Sequence, residues 1–194
     1  MFGYAKCSNC LFAFNRLESL KATVASVLRN SEATESDLYV FVDGARPNKQ
    51  GEMKKVHEVH EFVKTISGFK SVNYIFAKQN KGLGLSIIAG VTEVINRYGR
   101  AIVLEDDLVL SHNCLSFMNQ GLDKYEKDPK VFSVCGYSNK VKVPNGYLAD
   151  SYFCVRSSSW GWATWSDRWN SVDWDLMDIL TTQWKIMLIK TWRL

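Results

Sequence analysis

No stretch of this chain reaches the roughly 18–20 consecutive apolar residues that a membrane-spanning helix needs. The first residues, Met1 to Cys10, lack the apolar core of a secretion signal. Basic residues are dispersed instead of clustered, so a net charge of +4 does not point to nucleic acid. Cys7-x-x-Cys10 has no second CxxC or CxxH pair to complete four zinc ligands. Five cysteines, an odd number set mostly among apolar neighbours, fit reduced buried thiols and a cytoplasmic chain better than a disulfide framework. His57 and His60 stand one residue too close for the HExxH metal motif, and the GxGxxG and GK[ST] phosphate loops are missing. No repeat, linker or low-complexity segment interrupts the first 135 residues.

What is present is a composition, 46% hydrophobic and 23% charged, typical of a globular protein, in 194 residues that suffice for one domain with a real core. Short apolar runs alternate with helical periodicity. Cys10 to Phe14 reads as a strand and stops at Asn15-Arg16; Leu17, Leu20, Val24, Val27 and Leu28 then recur at helical spacing. Leu38 to Val42 is a second run, ended by Asp43-Gly44, and a helix over 51–65 follows with Met53, Val56, His60 and Val63 on one stripe. Val72 to Ala77 leads into Asn80-Lys-Gly-Leu-Gly84 and a helix to about Tyr98. Two glycines ahead of a helix suit a phosphate, because a helix start presents unpaired N–H groups. Ile102 to Leu104, a helix over 113–126 and Val131 to Cys135 continue the alternation, which implies parallel strands with helical crossovers.

The chain's most informative stretch is Ala101 to Leu110, in which a buried-strand pattern delivers Glu105, Asp106 and Asp107 in succession. Ligands of open α/β sheets bind beyond the carboxyl ends of the strands. Three adjacent acids there need a cation or hydrogen-bond donors, and a hard divalent ion, Mg²⁺ or Mn²⁺, shared with a phosphate-bearing ligand meets that need. A solvated acidic turn is the alternative. After Gly136 the character changes: a polar, basic loop is followed by Tyr152 to Val155, a further candidate strand. Five of the seven tryptophans then fall between Trp160 and Trp174. They read either as the floor of a sugar site or as core, since Trp162, Trp165 and Trp169 are spaced as a buried helical stripe.

Asn15-Arg16, Asp43-Gly44, Asn80-Lys-Gly-Leu, Glu105-Asp-Asp and Ser159-Trp-Gly-Trp-Ala-Thr-Trp, in this order, resemble the nucleotide-sugar transferases of the GT-A fold, specifically the family-two-like bacterial sugar transferases. Ile102 to Val134 also resembles the Glu-Asp-Asp region of N-acetylglucosaminyltransferase I. The resemblance implies a Rossmann-like, mostly parallel sheet flanked by helices. It divides a single domain into a nucleotide-sugar-binding half (1–135), a Trp-rich sugar and acceptor side (136–175) and a terminal helix or tail (176–194). It implies a metal-dependent, inverting transfer from a nucleotide-diphosphate sugar to a glycan or lipid-linked acceptor. Asp107 would ligate Mn²⁺ or Mg²⁺. Glu105 and Asp106 would contact the ribose, the sugar or metal-bound water. Asp43 would face the base or ribose, Asn15 and Arg16 would line the nucleotide pocket, and Asn80 and Gly82 would pass beside the donor. Trp160 and Trp162 would shape the sugar side.

Two departures from the family pattern accompany these likenesses. The position resembling the catalytic base falls near Ser138-Asn139, neither of them a carboxylate, which leaves Asp167, Asp173 and Asp175 to take the acceptor's proton, with Asp173 and Asp167 ranked first. Similar enzymes continue with a Gly-Gly-Asn-Asp-like stretch, whereas this sequence runs into the basic and apolar Thr182 to Leu194, so a C-terminally truncated member is expected. That last segment reads as a packed helix, as a helix lying on the inner face of a membrane, or as sequence out of register with its relatives. A nucleotide-sugar-binding domain without transferase activity is the competing reading. A nucleotidyltransferase is disfavoured, since it would carry a glycine-rich basic loop where Asn15-Arg16 stands.

Overall fold

The computed structural model describes residues 6–138, 142, 144–149, 151–155 and 158–174. Among the described residues six strands and five α-helices follow one another as β1 (Asn9–Ala13), α1 (Leu17–Leu28), β2 (Asp37–Val42), α2 (Glu52–Lys64), β3 (Ser71–Phe76), α3 (Leu83–Tyr98), β4 (Arg100–Glu105), α4 (Cys114–Tyr125), β5 (Val134–Cys135), β6 (Trp162–Trp165) and α5 (Ser166–Trp169). The sheet order is β3-β2-β1-β4-β6-β5. β1, β2, β3 and β4 are mutually parallel, whereas β6 runs antiparallel to both β4 and β5.

The apolar runs are continuous because both faces of the central strands are covered. Leu11, Leu38, Val40, Ile102 and Leu104 point to one face, where they meet Leu20, Val24 and Val27 of α1, Val56, Val59 and Val63 of α2, and Leu115, Met118 and Leu122 of α4. The alternate residues Cys10, Phe12, Tyr39, Phe41, Ala101 and Val103 point to the other, against Val91, Val94 and Ile95 of α3 and against Trp169. Gly90 lets α3 approach that face closely. A Cβ built there would lie 2.8 Å from the ring of Phe12 and 3.0 Å from that of Phe41, and the two rings are stacked on one another.

The register sets the position of the site. Ala13 pairs with Val42, Phe12 with Glu105 and Val42 with Phe76, so four parallel strands end nearly level. Residues following each of them must therefore emerge on one edge.

Several expectations need correction. Val131 to Cys135 is not a parallel strand; only Val134 and Cys135 pair, antiparallel to β6. Tyr152 to Val155 forms no strand and is exposed. Trp162 and Trp165 lie on a strand instead of a helical stripe. Ala163 and Trp165 face the core of α1, α2 and α4, and Trp162 packs against the opposite cluster, which is the period of two of a strand buried on both faces. Met53 is exposed, and Val59 takes its place on the buried stripe of α2. Cys7 and Cys10 are buried, and burial pushes the Cys7 thiol up to about 12 and Cys10 well above its usual value, which suits inert thiols and not zinc thiolates. Cys154 is exposed, against the expectation of burial. Among the described residues no helix is long and apolar enough to cross a membrane. The segment from Asp175 to Leu194, including the proposed membrane-surface helix, lies outside the described residues.

Gly90→Ala is expected to lower stability by about 1–3 kcal/mol through overpacking against Phe12, outweighing a gain of about 1 kcal/mol in helix propensity. Urea denaturation checks this; an unchanged or higher midpoint would show that the rings yield freely.

Candidate functional site

The level strand ends gather the polar residues in two connected groups. The first surrounds Asp43, directly after β2. Its Oδ1 accepts the N–H groups of Gly44 and Lys81, each at 2.9 Å; its Oδ2 accepts the N–H of Gly82 at 2.9 Å and Asn80 Nδ2 at 3.0 Å. Four donors use the four lone-pair directions of a carboxylate. Asn80 Nδ2 also reaches the Gly44 carbonyl at 2.9 Å. Gly82 has φ 79° and ψ 159°, a region open to glycine almost alone, and this lets its N–H turn toward Asp43 just ahead of α3. The structure thus brings Asp43, Asn80 and Gly82 together as one another's partners. Asp43, 7% exposed, fixes the shape of the loop with its hydrogen-bonding capacity already engaged.

The second group joins the end of β1 to the end of β4. Arg16, at the start of α1, donates through Nη2 to Asp106 Oδ1 at 2.5 Å and through Nη1 to Asp107 Oδ2 at 3.0 Å. Asp106 Oδ2 accepts the Phe14 N–H at 3.2 Å. Asp106 is buried, whereas the side chain of Asp107 is 45% exposed. Burial pushes the carboxyls of Asp106 and Glu105 above the usual range, opposed in both by Arg16; for Glu105 the neighbouring Asp107 and Asp106 push further upward. Burial works against the Arg16 charge, but Asp106 and Asp107 outweigh it and raise its pKa.

Sequence reading missed a third residue group. Glu52, in the first turn of α2, is buried and accepts Asn15 Nδ2 at 3.2 Å, the Arg46 N–H at 2.8 Å and Arg46 Nε at 3.0 Å, with Arg46 Nη2 closing the ion pair. Arg46 also lies over the Phe14 ring, 5.5 Å from its centroid. The signal available was an acid in a helix's first turn, where the dipole favours it. Hydrogen bonds from Arg46 hold the Glu52 carboxyl down at about 2.

The tryptophans divide. Trp160 is exposed, one residue before Gly161, with the edge of its ring against Tyr137 at 4.5 Å. Trp162 is half-buried and stacks on Trp169 at 5.8 Å, so it serves the core first. Asp167 is not brought to the site. β6 runs backwards and places Trp165 beside Arg100, at the amino end of β4, so Asp167 follows on the opposite edge of the sheet from Glu105. Five residue steps of β4 separate the two edges, roughly 16 Å. There Asp167 is exposed and pairs with Arg168 at 2.7 Å. Asp173 is exposed, beside Trp174, whose ring lies against Trp169 at 4.2 Å.

The donor set fits a shared metal and not an all-protein cage. Among the described residues no three Asp, Glu, His or Cys side chains converge on one point. Both Asp106 oxygens are engaged, whereas Asp107 presents a half-exposed carboxylate with one oxygen outside the Arg16 pair. Mg²⁺ and Mn²⁺ sites built from one or two carboxylates and substrate phosphates need no more from the protein.

The family model described as Glycosyl transferase family 2 matches residues 8–184. No curated protein sequence matches the chain. A mannosyltransferase, PcManGT from Pyrobaculum calidifontis, solved in complex with GDP-Man and Mn²⁺, superposes at a TM-score of 0.51 and 11% identity, covering 91% of this chain and 47% of its own. TarS from S. aureus aligns at 10% identity over 61% of this chain and 20% of its own; its TM-score of 0.44 is too low to support the fold. The chain spans about half the length of the mannosyltransferase, and that likeness establishes the GT-A fold. The narrower resemblance to N-acetylglucosaminyltransferase I rests on sequence alone.

The Glu52 pair carries a pH signature. A carboxyl held at about 2 adds stability that is fully present above its ordinary value of 4.5 and is lost as pH falls toward 2. Glu52→Gln should therefore be less stable at pH 7 and lose stability less steeply between pH 4.5 and 2. Thermal unfolding across that window checks it; parallel curves for the two proteins would refute the assignment.

Proposed function

The chain belongs to glycosyl transferase family 2, and from that premise we propose that its carboxyl edge binds a nucleotide-diphosphate sugar with a divalent cation and transfers the sugar, with inversion, to a glycan or lipid-linked acceptor. The observation that carries this reading is the placement of a half-exposed Asp107 beside a buried, Arg16-paired Asp106, on the same edge as the Asp43 loop. Asp107 would hold Mn²⁺ or Mg²⁺, which when bound neutralises the charge that develops on the departing diphosphate. Glu105 would meet the ribose and sugar hydroxyls, while Asp106, both oxygens already engaged, would hold Arg16 beside them instead of contacting the donor itself. Asn15, fixed by Glu52, and Arg16 would line the nucleotide pocket. Asp43, Asn80 and Gly82 would give the donor a rigid wall. Exposed Trp160, braced by Tyr137, would face the sugar or acceptor, with Trp162 supporting it from the core.

Inverting transfer also needs a group to take the acceptor's proton. With Asp167 on the opposite edge, Asp173 is the acid we assign to that step. The position of Asp167 also favours a second reading, a domain that holds a nucleotide sugar without transferring it.

Calorimetry with GDP and UDP, with and without Mn²⁺, tests the donor site. Both nucleotides belong in the trial, GDP because a protein of the same fold was solved with GDP-Man and Mn²⁺. Metal-dependent binding is expected, and Asp107→Ala should abolish the metal-dependent part; binding indifferent to Mn²⁺ or to Asp107 would overturn the reading. Asp173→Asn separates the two readings: donor binding should persist while transfer falls by about 10²–10⁴-fold, the usual contribution of a general base. Transfer at the wild-type rate would remove Asp173 from the mechanism, and no transfer by the wild type over a broad acceptor panel would favour the binding domain.

A further inference from the structure

The acidic edge holds two carboxylates whose commitments differ. Asp106 is 4% exposed, with one oxygen on the Phe14 N–H and the other on Arg16. Asp107 is 45% exposed, and among the described residues its carboxylate is held by Arg16 Nη1 alone. Arg16 stands at the N-cap of α1, with non-helical φ −112° and ψ 75°, and its side chain is 52% exposed. Different nitrogens make the two contacts, so the Nη1–Asp107 pair is separable from the Nη2–Asp106 pair. The guanidinium sits where a cation bound to Asp107 would meet it, one positive charge against two.

We infer that Arg16 is a removable counter-ion for Asp107, which a divalent cation displaces readily only when a nucleoside diphosphate is present to receive both positive charges. This rests on the donor-site reading above. With the protein alone, a cation must break the Arg16–Asp107 pair and then stand beside the released guanidinium, so its binding is weak. A diphosphate would remove that conflict by offering negative charge to both the cation held by Asp107 and the Arg16 guanidinium. Arg16 thereby makes metal binding conditional on nucleotide, a coupling that must hold equally in both directions. It acts through Asp107 and is a positioning residue in the apo protein.

The test is Mn²⁺ binding followed by the electron paramagnetic resonance of the free ion, with and without GDP or UDP, in wild type, Arg16→Gln and Arg16→Gln/Asp106→Asn. The double variant removes the buried charge that the single variant leaves unpaired, so loss of folding cannot imitate the result. Without nucleotide, Arg16→Gln is expected to bind Mn²⁺ about three- to tenfold more tightly than wild type, the scale of one partly exposed ion pair together with one nearby like charge; the double variant, whose local net charge is unchanged, keeps only the ion-pair part of that gain, about two- to fivefold. With nucleotide, both should bind it less tightly, so the enhancement by nucleotide shrinks. A purely structural Arg16 would weaken binding under both conditions. Equal or weaker Mn²⁺ binding by both variants in the absence of nucleotide overturns the counter-ion role, and the donor site survives if wild type still shows nucleotide-dependent Mn²⁺ binding that Asp107→Ala abolishes. Wild type without such binding overturns both.

Discussion

Parallel pairing that ends β1, β2, β3 and β4 almost level is the constraint from which the site follows. Once Ala13 stands beside Val42 and Phe12 beside Glu105, the residues after each strand have one edge to share. Asn15, Arg16, Asp43, Asn80 and the acidic triplet share that edge, with contacts that span up to 91 residues of sequence. The pairing is itself enforced by burial on both faces, since a slip by one residue would exchange the partners of α3 with those of α1, α2 and α4.

That edge carries more acid than it can leave uncompensated. Asp43 is satisfied by N–H groups of its own and the following loop, Glu52 by Arg46 and Asn15, and Asp106 by Arg16 and a backbone N–H. Three different solutions to the same desolvation problem lie side by side. Glu105 and Asp107 are the less completely compensated members, and they stand at the end of β4, on the edge we assign to the donor. Burial on one side and incomplete compensation on the other distinguish residues that hold the framework from residues available to a ligand.

The strands, helices and strand-end acids of the first 126 residues were legible because each apolar run is covered on both faces and each helix keeps its period. The C-terminal third was not. Trp162, Trp165 and Trp169 satisfy a helical spacing by coincidence, since only the flanking strands β4 and β5 reveal that Trp162 to Trp165 is itself a strand. No local signal marks antiparallel direction, and it is this direction that removes Asp167 from the site. Glu52 was overlooked for a related reason: its partners Asn15 and Arg46 come from different loops, and only the folded chain brings them to one carboxylate. Asp43 was recognised by its place after a strand, yet its four N–H partners depend on the backbone shape that Gly82 permits.

The short β5–β6 ladder has a consequence for how such a chain can change. Cys135 stands opposite Trp162, and the Gly136 N–H reaches the Gly161 carbonyl at 2.8 Å, so two glycines 25 residues apart in the chain are held together at one point. An excursion closed at its base can lengthen, shorten or be exchanged at small entropic cost, leaving the ladder in place. The ladder thus acts as a clasp, fixing where the chain departs at Gly136 and rejoins at Gly161 by pairing that is independent of the parallel strands β1, β2 and β3.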